Sequence, residues 1–184
     1  MHNDIERVLF SEERIREGIA RVAKEITASL GNEELTVVSV LKGACIFSSD
    51  LIRQLPIPLQ LSFLGASSYG DETDSGDVKL TYFPREEIEN RRVLVVDDIL
   101  DTGNTMSSIM AEMRSRGALD VKSCVFLDKP ARRELSIEAD FRVFEVENVF
   151  VVGYGLDYAG KYRNLPFVGA LKEHIFSTPA ETGA

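Results

Sequence analysis

Residues 93–105 read Val-Leu-Val-Val-Asp-Asp-Ile-Leu-Asp-Thr-Gly-Asn-Thr. An apolar run of strand length ends in three carboxylates, Asp97, Asp98 and Asp101, within five positions. The chain then passes through Thr102, Gly103 and Thr105 into a helical pattern. Backbone amides at a helix start hold anions, helped by the helix dipole, and a glycine there lets the backbone come close to the ligand. Carboxylates beside such a loop suit sugar hydroxyls or a hard metal ion. Together these features point to a phosphorylated sugar as ligand.

Outward from this stretch, strands and helices alternate. Ser11 is a good N-cap, with Glu12 and Glu13 placed where the dipole favours acids. Ile15, Ile19, Val22, Ala23, Ile26 and Leu30 recur at helical spacing, and Gly31 stops the pattern. The apolar, β-branched run over 35–41 predicts a strand buried on both faces. Lys42-Gly43 predicts a turn, and 44–55 a helix ended by Pro56 and Pro58. Alternation over 59–64 predicts a strand with one wetter face, 65–77 a polar loop, and 78–83 a strand returning antiparallel. A buried strand over 93–96 precedes a helix over 105–116 with Met106, Ile109, Met110 and Met113 on one face and Gly117 as its stop. Further strands are expected over 121–127 and 149–152, while the tail after Leu171 is weakly patterned and 177–184 is expected to fray. This order predicts an α/β fold with a mostly parallel central sheet flanked by helices, as one domain over 1–184.

Composition bounds the class. A chain of 184 residues with 44% hydrophobic content can bury a core without disulfides. Its net charge of −9 argues against a broad nucleic-acid surface. Cys45 and Cys124 lie far apart in apolar segments and read as reduced core thiols. The N-terminus carries acids and no apolar signal region, and no apolar run approaches the roughly 18 residues of a membrane span. A soluble, cytoplasmic protein is expected, with no nucleic acid and no membrane as partner.

Three other readings of the acids fit less well. Asp97-Asp98-x-x-Asp101 matches the DDxxD pattern of prenyl-transferring enzymes, but it follows a β-branched strand and precedes Thr-Gly in a chain too short for that all-helical fold. The stretch also resembles the opening strand of a phosphoacceptor receiver, yet 92 residues precede it. A merely solvated turn would leave three acids repelling one another at a buried strand's end with nothing to offset the cost.

The segment resembles the phosphoribosyl diphosphate motif of the type I phosphoribosyltransferases, and the chain over roughly 37–171 is similar to their hypoxanthine/guanine branch. The similarity extends through Val-Leu-Lys-Gly-Ala at 40–44, Ser-Ser-Tyr-Gly at 67–70, Phe-Leu-Asp-Lys-Pro at 126–130 and Val-Phe-Val-Val-Gly-Tyr-Gly-Leu-Asp-Tyr at 149–158. One departure is that the motif's first acid is often Glu and here is Asp97, which keeps the charge but shortens the reach.

The resemblance implies the type I fold, with a small hood formed by the terminal segments and a flexible lid over 65–77. It implies transfer of the 5-phosphoribosyl group from phosphoribosyl diphosphate to hypoxanthine or guanine, giving IMP or GMP and pyrophosphate, in purine salvage. The alternatives are a xanthine- or guanine-preferring enzyme and a non-catalytic sensor of the diphosphate. Asp97 and Asp98 would hold ribose hydroxyls or metal-bound waters, and Asp101, Thr102, Gly103, Asn104 and Thr105 the 5-phosphate, with Asp101 also the general base. Lys42, Gly43, Ser68, Tyr69 and Arg163 would bind pyrophosphate, with Lys161 a weaker candidate and a non-proline cis peptide expected at the Lys42-Gly43 loop. The purine would meet Ile99, Lys129, Phe150, Val151 and Asp157, with Lys129 donating to its exocyclic oxygen. The implied cofactor is Mg2+, held by Asp157 with Asp97 and Asp98, and the implied assembly a homodimer or homotetramer. From the residues alone, Lys129 reads as a solvated charge, Phe150 as core and Asp157 as a turn acid.

Overall fold

The computed structural model describes residues 2–31, 33–68, 78–82 and 88–177. Six strands form the main sheet, in the order β4-β3-β2-β5-β6-β7. They are β2 (Leu35–Leu41), β3 (Leu59–Ser68), β4 (Val78–Tyr82), β5 (Arg92–Leu100), β6 (Asp120–Asp128) and β7 (Phe141–Glu145). β3, β2, β5, β6 and β7 run parallel, and β4 returns antiparallel to β3. A second sheet pairs β1 (Ile5–Phe10), β9 (Val168–Leu171) and β8 (Val151–Val152), drawing the two ends of the chain together as the expected hood.

The burial follows the period of each element. Helix α1 (Glu12–Leu30) is capped by Ser11, whose Oγ accepts the Arg14 amide at 3.3 Å, and it buries Ile15, Ile19, Val22, Ala23, Ile26 and Leu30. Helix α2 (Cys45–Ile52) buries Phe47 and Leu51 on the same side of the sheet, against Val37, Leu94, Val96 and Phe126. Helix α3 (Asn104–Ser115) covers the opposite face, where Met106, Ile109, Met110 and Met113 meet Val38, Val40, Val93, Val95 and Val125. Alternate residues of β2 and β5 thus feed two separate cores, which is why both strands read as unbroken apolar runs. Each fully buried aliphatic side chain contributes roughly 1.5–3 kcal/mol to holding this stack.

The strand order creates the place for a site. From β2 the chain crosses to β3 on one side, while β5 pairs with the other side of β2 and leads on to β6 and β7. At such a reversal the loops leaving neighbouring strands diverge and open a crevice at the carboxyl ends of the strands. Here those loops are Lys42-Gly43 after β2 and Asp101–Gly103 after β5.

Several expectations need correcting. β5 does not stop at Val96, because its pairing with β6 continues through Asp97↔Val125, Ile99↔Leu127 and Leu100↔Asp128; Asp97 and Asp98 therefore sit on the strand. β1, β7 and β9 were not expected, since each is short or carries charges and is fixed by partners far away in the chain, such as Phe10↔Val168. Cys45 is exposed at the start of α2 rather than in the core, while Cys124 is fully buried, and both are free thiols. Burial pushes the Cys124 thiol well up. No helix among the described residues is long and apolar enough to cross a membrane.

Candidate active site

A cavity of about 430 Å³ opens at the switch point between β2 and β5. Its walls come from three parts of the chain: Val40–Gly43, Asp97–Gly103 with Thr105 and Met106, and Asp157 with Arg163; Ala66 of β3 completes them. Most of the predicted phosphate, ribose and pyrophosphate residues therefore meet around one space.

Asp97 is only 7% exposed and its Oδ1 accepts the Asp98 amide at 2.9 Å. Burial lifts its carboxyl well above the ordinary carboxylate range, and the adjacent Asp98 charge adds to this. Burial raises Asp98 too, partly opposed by hydrogen bonds and by the Arg163 charge. Two adjoining carboxylates kept from water are relieved by hydroxyl donors or by a cation. Lys42 follows a cis peptide, Leu41–Lys42, at the loop where the resemblance implied one. Gly43 lies directly under Asp98, and a Cβ there would fall 1.5 Å from Asp98 Oδ2.

The turn after β5 is held from outside the cavity. Gly103 has φ +96°, open to glycine at little cost, and a Cβ on it would lie 2.5 Å from Ile137 Cγ2. Thr102 Oγ1 accepts the Asn104 amide at 3.4 Å, and the Asn104 side chain turns away to donate to Glu134 at 3.1 Å. Asn104 is not a wall of the cavity, while Thr105 is. The first amides of α3 have no intrahelical partner, and the helix starts at the cavity, where its dipole favours an anion.

Asp101 is the acid with unspent capacity. One oxygen pairs with Arg132 Nη1 at 3.1 Å; the other, Oδ1, is buried with no hydrogen-bond partner among the described residues. A buried acceptor of that kind costs about 1–3 kcal/mol unless a ligand donates to it.

Asp157 and Arg163 occupy the far wall. Arg163 donates to Asp157 Oδ1 at 2.7 Å and to the Gly155 carbonyl at 2.6 Å, while Asp157 Oδ2 accepts the Gly160 amide at 2.8 Å. Asp157 thus stands with Arg163, a pyrophosphate candidate, in the cavity wall. Lys161 is exposed and is not a wall of the cavity.

Lys129, Phe150 and Val151 form a second group outside these walls. Lys129 is 6% exposed, its Nζ donates to the Val149 carbonyl at 2.9 Å, and its amide donates to Leu100 O at 3.0 Å. Burial lowers its ammonium's proton affinity, against an opposing pull from the Asp101 charge. It is not the solvated charge that the residues alone suggested. Phe150 is 37% exposed rather than core, stacked on Phe176 at 4.9 Å and edge-on to Tyr158 at 5.4 Å. Val151 is buried in β8, opposite Ala170. Ile99, in the cavity wall, pairs with Leu127 in β6, two residues before Lys129. Ser68 ends β3 opposite Val78, and Tyr69 lies outside the described residues, as does the expected lid from that point to 77.

Among the described residues no three His, Cys, Asp or Glu side chains converge on one point. The carboxylates at the cavity are oxygen donors of the kind Mg2+ takes one or two at a time, completing its shell with water and substrate phosphate. The set therefore fits a substrate-borne magnesium. Arg132 and Arg133 were missed in the sequence, although an arginine pair three residues beyond Lys129 was a usable signal.

Comparison with known proteins agrees with this geometry. A family profile described as "Phosphoribosyl transferase domain" matches residues 9–159. The hypoxanthine-guanine phosphoribosyltransferase of Bacillus subtilis is 42% identical over 97% of this chain and 99% of its own. The bifunctional protein TilS/HprT of Listeria innocua is 46% identical over 96% of this chain, which spans 28% of that protein's length. A crystal structure of Staphylococcus aureus hypoxanthine phosphoribosyltransferase superposes with a TM-score of 0.92 at 40% identity, covering 97% of each chain. On this profile match, identity and superposition, this chain belongs to the phosphoribosyltransferase family, in its hypoxanthine-guanine branch.

Proposed function

We propose that this chain transfers the 5-phosphoribosyl group from phosphoribosyl diphosphate to hypoxanthine or guanine, yielding IMP or GMP and pyrophosphate in purine salvage. The observation that carries the reading is the convergence of Val40–Gly43, Asp97–Gly103 with Thr105 and Met106, and Asp157 with Arg163 on one cavity, with a buried Asp101 oxygen awaiting a donor. At about 430 Å³, that cavity lies within the usual range for small-molecule sites of roughly 300–1,000 Å³.

The 5-phosphate is taken up by the amides and hydroxyls of Thr102–Thr105 at the start of α3, and the ribose hydroxyls by Asp97 and Asp98. Breaking the bond at the anomeric carbon builds positive charge on the sugar ring, as in glycoside chemistry, and ionised carboxylates beside it favour that charge. Asp101 accepts the proton from the purine imidazole nitrogen as the new bond forms, a task suited to a partly desolvated carboxylate. Lys129 donates to the 6-oxo group, which an adenine amino group cannot accept. Phe150 and Ile99 pack on the two faces of the base, and Val151 offers backbone groups to its edge. Lys42, Gly43 and Arg163 hold the leaving pyrophosphate, together with Ser68 and Tyr69. Asp157, Asp97 and Asp98 are the carboxylates that would hold Mg2+, one or two of them at a time beside substrate oxygens, and the ion when bound would neutralise charge on the diphosphate. A homodimer or homotetramer working in the cytoplasm belongs to the same reading.

The test offers the purified protein each purine base with phosphoribosyl diphosphate and magnesium. The expected result is nucleotide from hypoxanthine and guanine, none from adenine, and a severe loss in Asp101→Asn. Absence of nucleotide with wild type overturns the activity, and a fully active Asp101→Asn overturns the role of the base.

A further inference from the structure

The segment from Lys129 to Ile137 lies against the turn that carries Asp101 and supplies none of the cavity walls; besides the Arg132–Asp101 ion pair, its contacts fall on successive carbonyls. Leu100 O accepts the Lys129 amide at 3.0 Å and Arg133 Nη2 at 3.1 Å. Asp101 O accepts Arg133 Nε at 2.9 Å. Thr102 O accepts the Glu134 and Leu135 amides at 3.0 and 3.2 Å. The Arg133 guanidinium also donates to Ile137 O and to Asp128, which in turn accepts Arg142 at 3.0 Å. The Arg133 side chain is 14% exposed and that of Asp128 5%, so the fork works largely out of water.

A trans peptide carries its C=O and N–H on opposite sides of one plane. Three consecutive planes whose carbonyls are held by 129–137 must turn the amides of Asp101, Thr102 and Gly103 the other way, where the cavity lies. The same constraint fixes the backbone on both sides of the Asp101 Cα, and with it the direction of the carboxylate. We propose that Arg133 is a positioning residue for the reaction: by gripping the carbonyls of Leu100 and Asp101 it aims the Asp101 carboxylate at the base and the following amides at the phosphate. Asp128 neutralises the buried guanidinium and sets its orientation. A planar fork of five donors can hold several carbonyls and a carboxylate at once, whereas a lysine ammonium on a flexible stem cannot reproduce that geometry. This inference rests on the proposed transferase activity and extends it to a residue that touches neither substrate.

Arg133→Lys keeps the charge near Asp128 and loses the fork. A misplacement of the base by a fraction of an ångström to an ångström lowers kcat by about 10–100-fold. KM for the purine stays within about twofold, because the groups that bind the base are elsewhere. Arg133→Ala supplies the second measurement: ethylguanidinium added to the assay restores kcat, whereas sodium chloride at equal ionic strength does not. Melting curves of both variants are recorded beside the kinetics. A kcat for Arg133→Lys within about twofold of wild type overturns the proposal. So does a loss in both variants that follows the fall in melting temperature, raises both KM values alike and ignores ethylguanidinium, because that is the behaviour of a purely structural clamp. Wild-type protein that forms no nucleotide overturns the activity itself, and that result is read before any variant is compared.

Discussion

Asp97–Gly103, with Thr105 and Met106, line the cavity from one stretch of chain, whereas the proposed purine residues Lys129, Phe150 and Val151 come from the end of β6 and the start of β8. On the first side each determinant is local: a strand that carries its acids, a glycine that turns, a helix whose first amides are open. On the second, the Lys129 ammonium is placed by the carbonyl of Val149, twenty residues on, and Phe150 by packing on Phe176 and Tyr158. A continuous segment can be tuned for bond making without disturbing what binds the base. In the proposed reading, an assembled one ties base choice to the docking of the second sheet.

The comparison breaks most visibly at Asp101. Asp101→Asn keeps the shape of the turn and removes the proton acceptor, so kcat for nucleotide formation is expected to fall by about 10²–10⁴-fold while diphosphate binding changes little. Equal losses in both would make Asp101 a binding group instead.

Next comes Gly43→Ala, on the neighbouring loop. Its Cβ would overlap Asp98 Oδ2, so either the loop or the carboxylate must move. kcat/KM for the diphosphate should drop by about 10²-fold, measured by initial rates at fixed purine. A variant that matched wild type would show that this close approach is not needed.

Lys129→Met probes the assembled side. It removes the ammonium from the Val149 carbonyl and from the base, so kcat/KM for hypoxanthine should fall about 10–100-fold with KM for the diphosphate unchanged. Loss of diphosphate affinity instead would merge the two regions into one.

The smallest expected effect is one of stability. Asp97 is buried beside Asp98 with its carboxyl raised by burial and by that neighbour, which is a cost to the folded state without ligand. Asp97→Asn removes the repulsion and should raise Tm by about 2–4 °C, roughly 1 kcal/mol for a chain of this size, while lowering activity. A lower Tm would mean that Asp97 is satisfied in the free protein.

Much of the main sheet and the phosphate side were legible in sequence because their signals are short-range. The Ile15–Leu30 spacing, the run over 35–41 and the methionine stripe of α3 each report one element's burial, and each element is found close to where it was expected. The end of β5 was placed too early because acids look like a boundary until the β6 register carries them onto the strand. β1 and β9 were illegible for a different reason. Arg7 and Glu6 interrupt one, the other is four residues long, and each exists only because the other pairs with it. Arg133 was passed over since nothing in its neighbours announces which carbonyls it will meet.

What the sequence by itself determined was the chemistry of one contiguous turn and the α/β alternation around it, because backbone geometry there follows from residues three or four positions apart. Only the tertiary structure decided that β5 lies beside β2, so that Gly43 sits under Asp98. It also decided that Lys129 comes to Val149 and that the Tyr162 hydroxyl donates to Asp4 at 3.0 Å across the hood. Strand order is settled by the packing of whole faces against one another, and no local spacing encodes it.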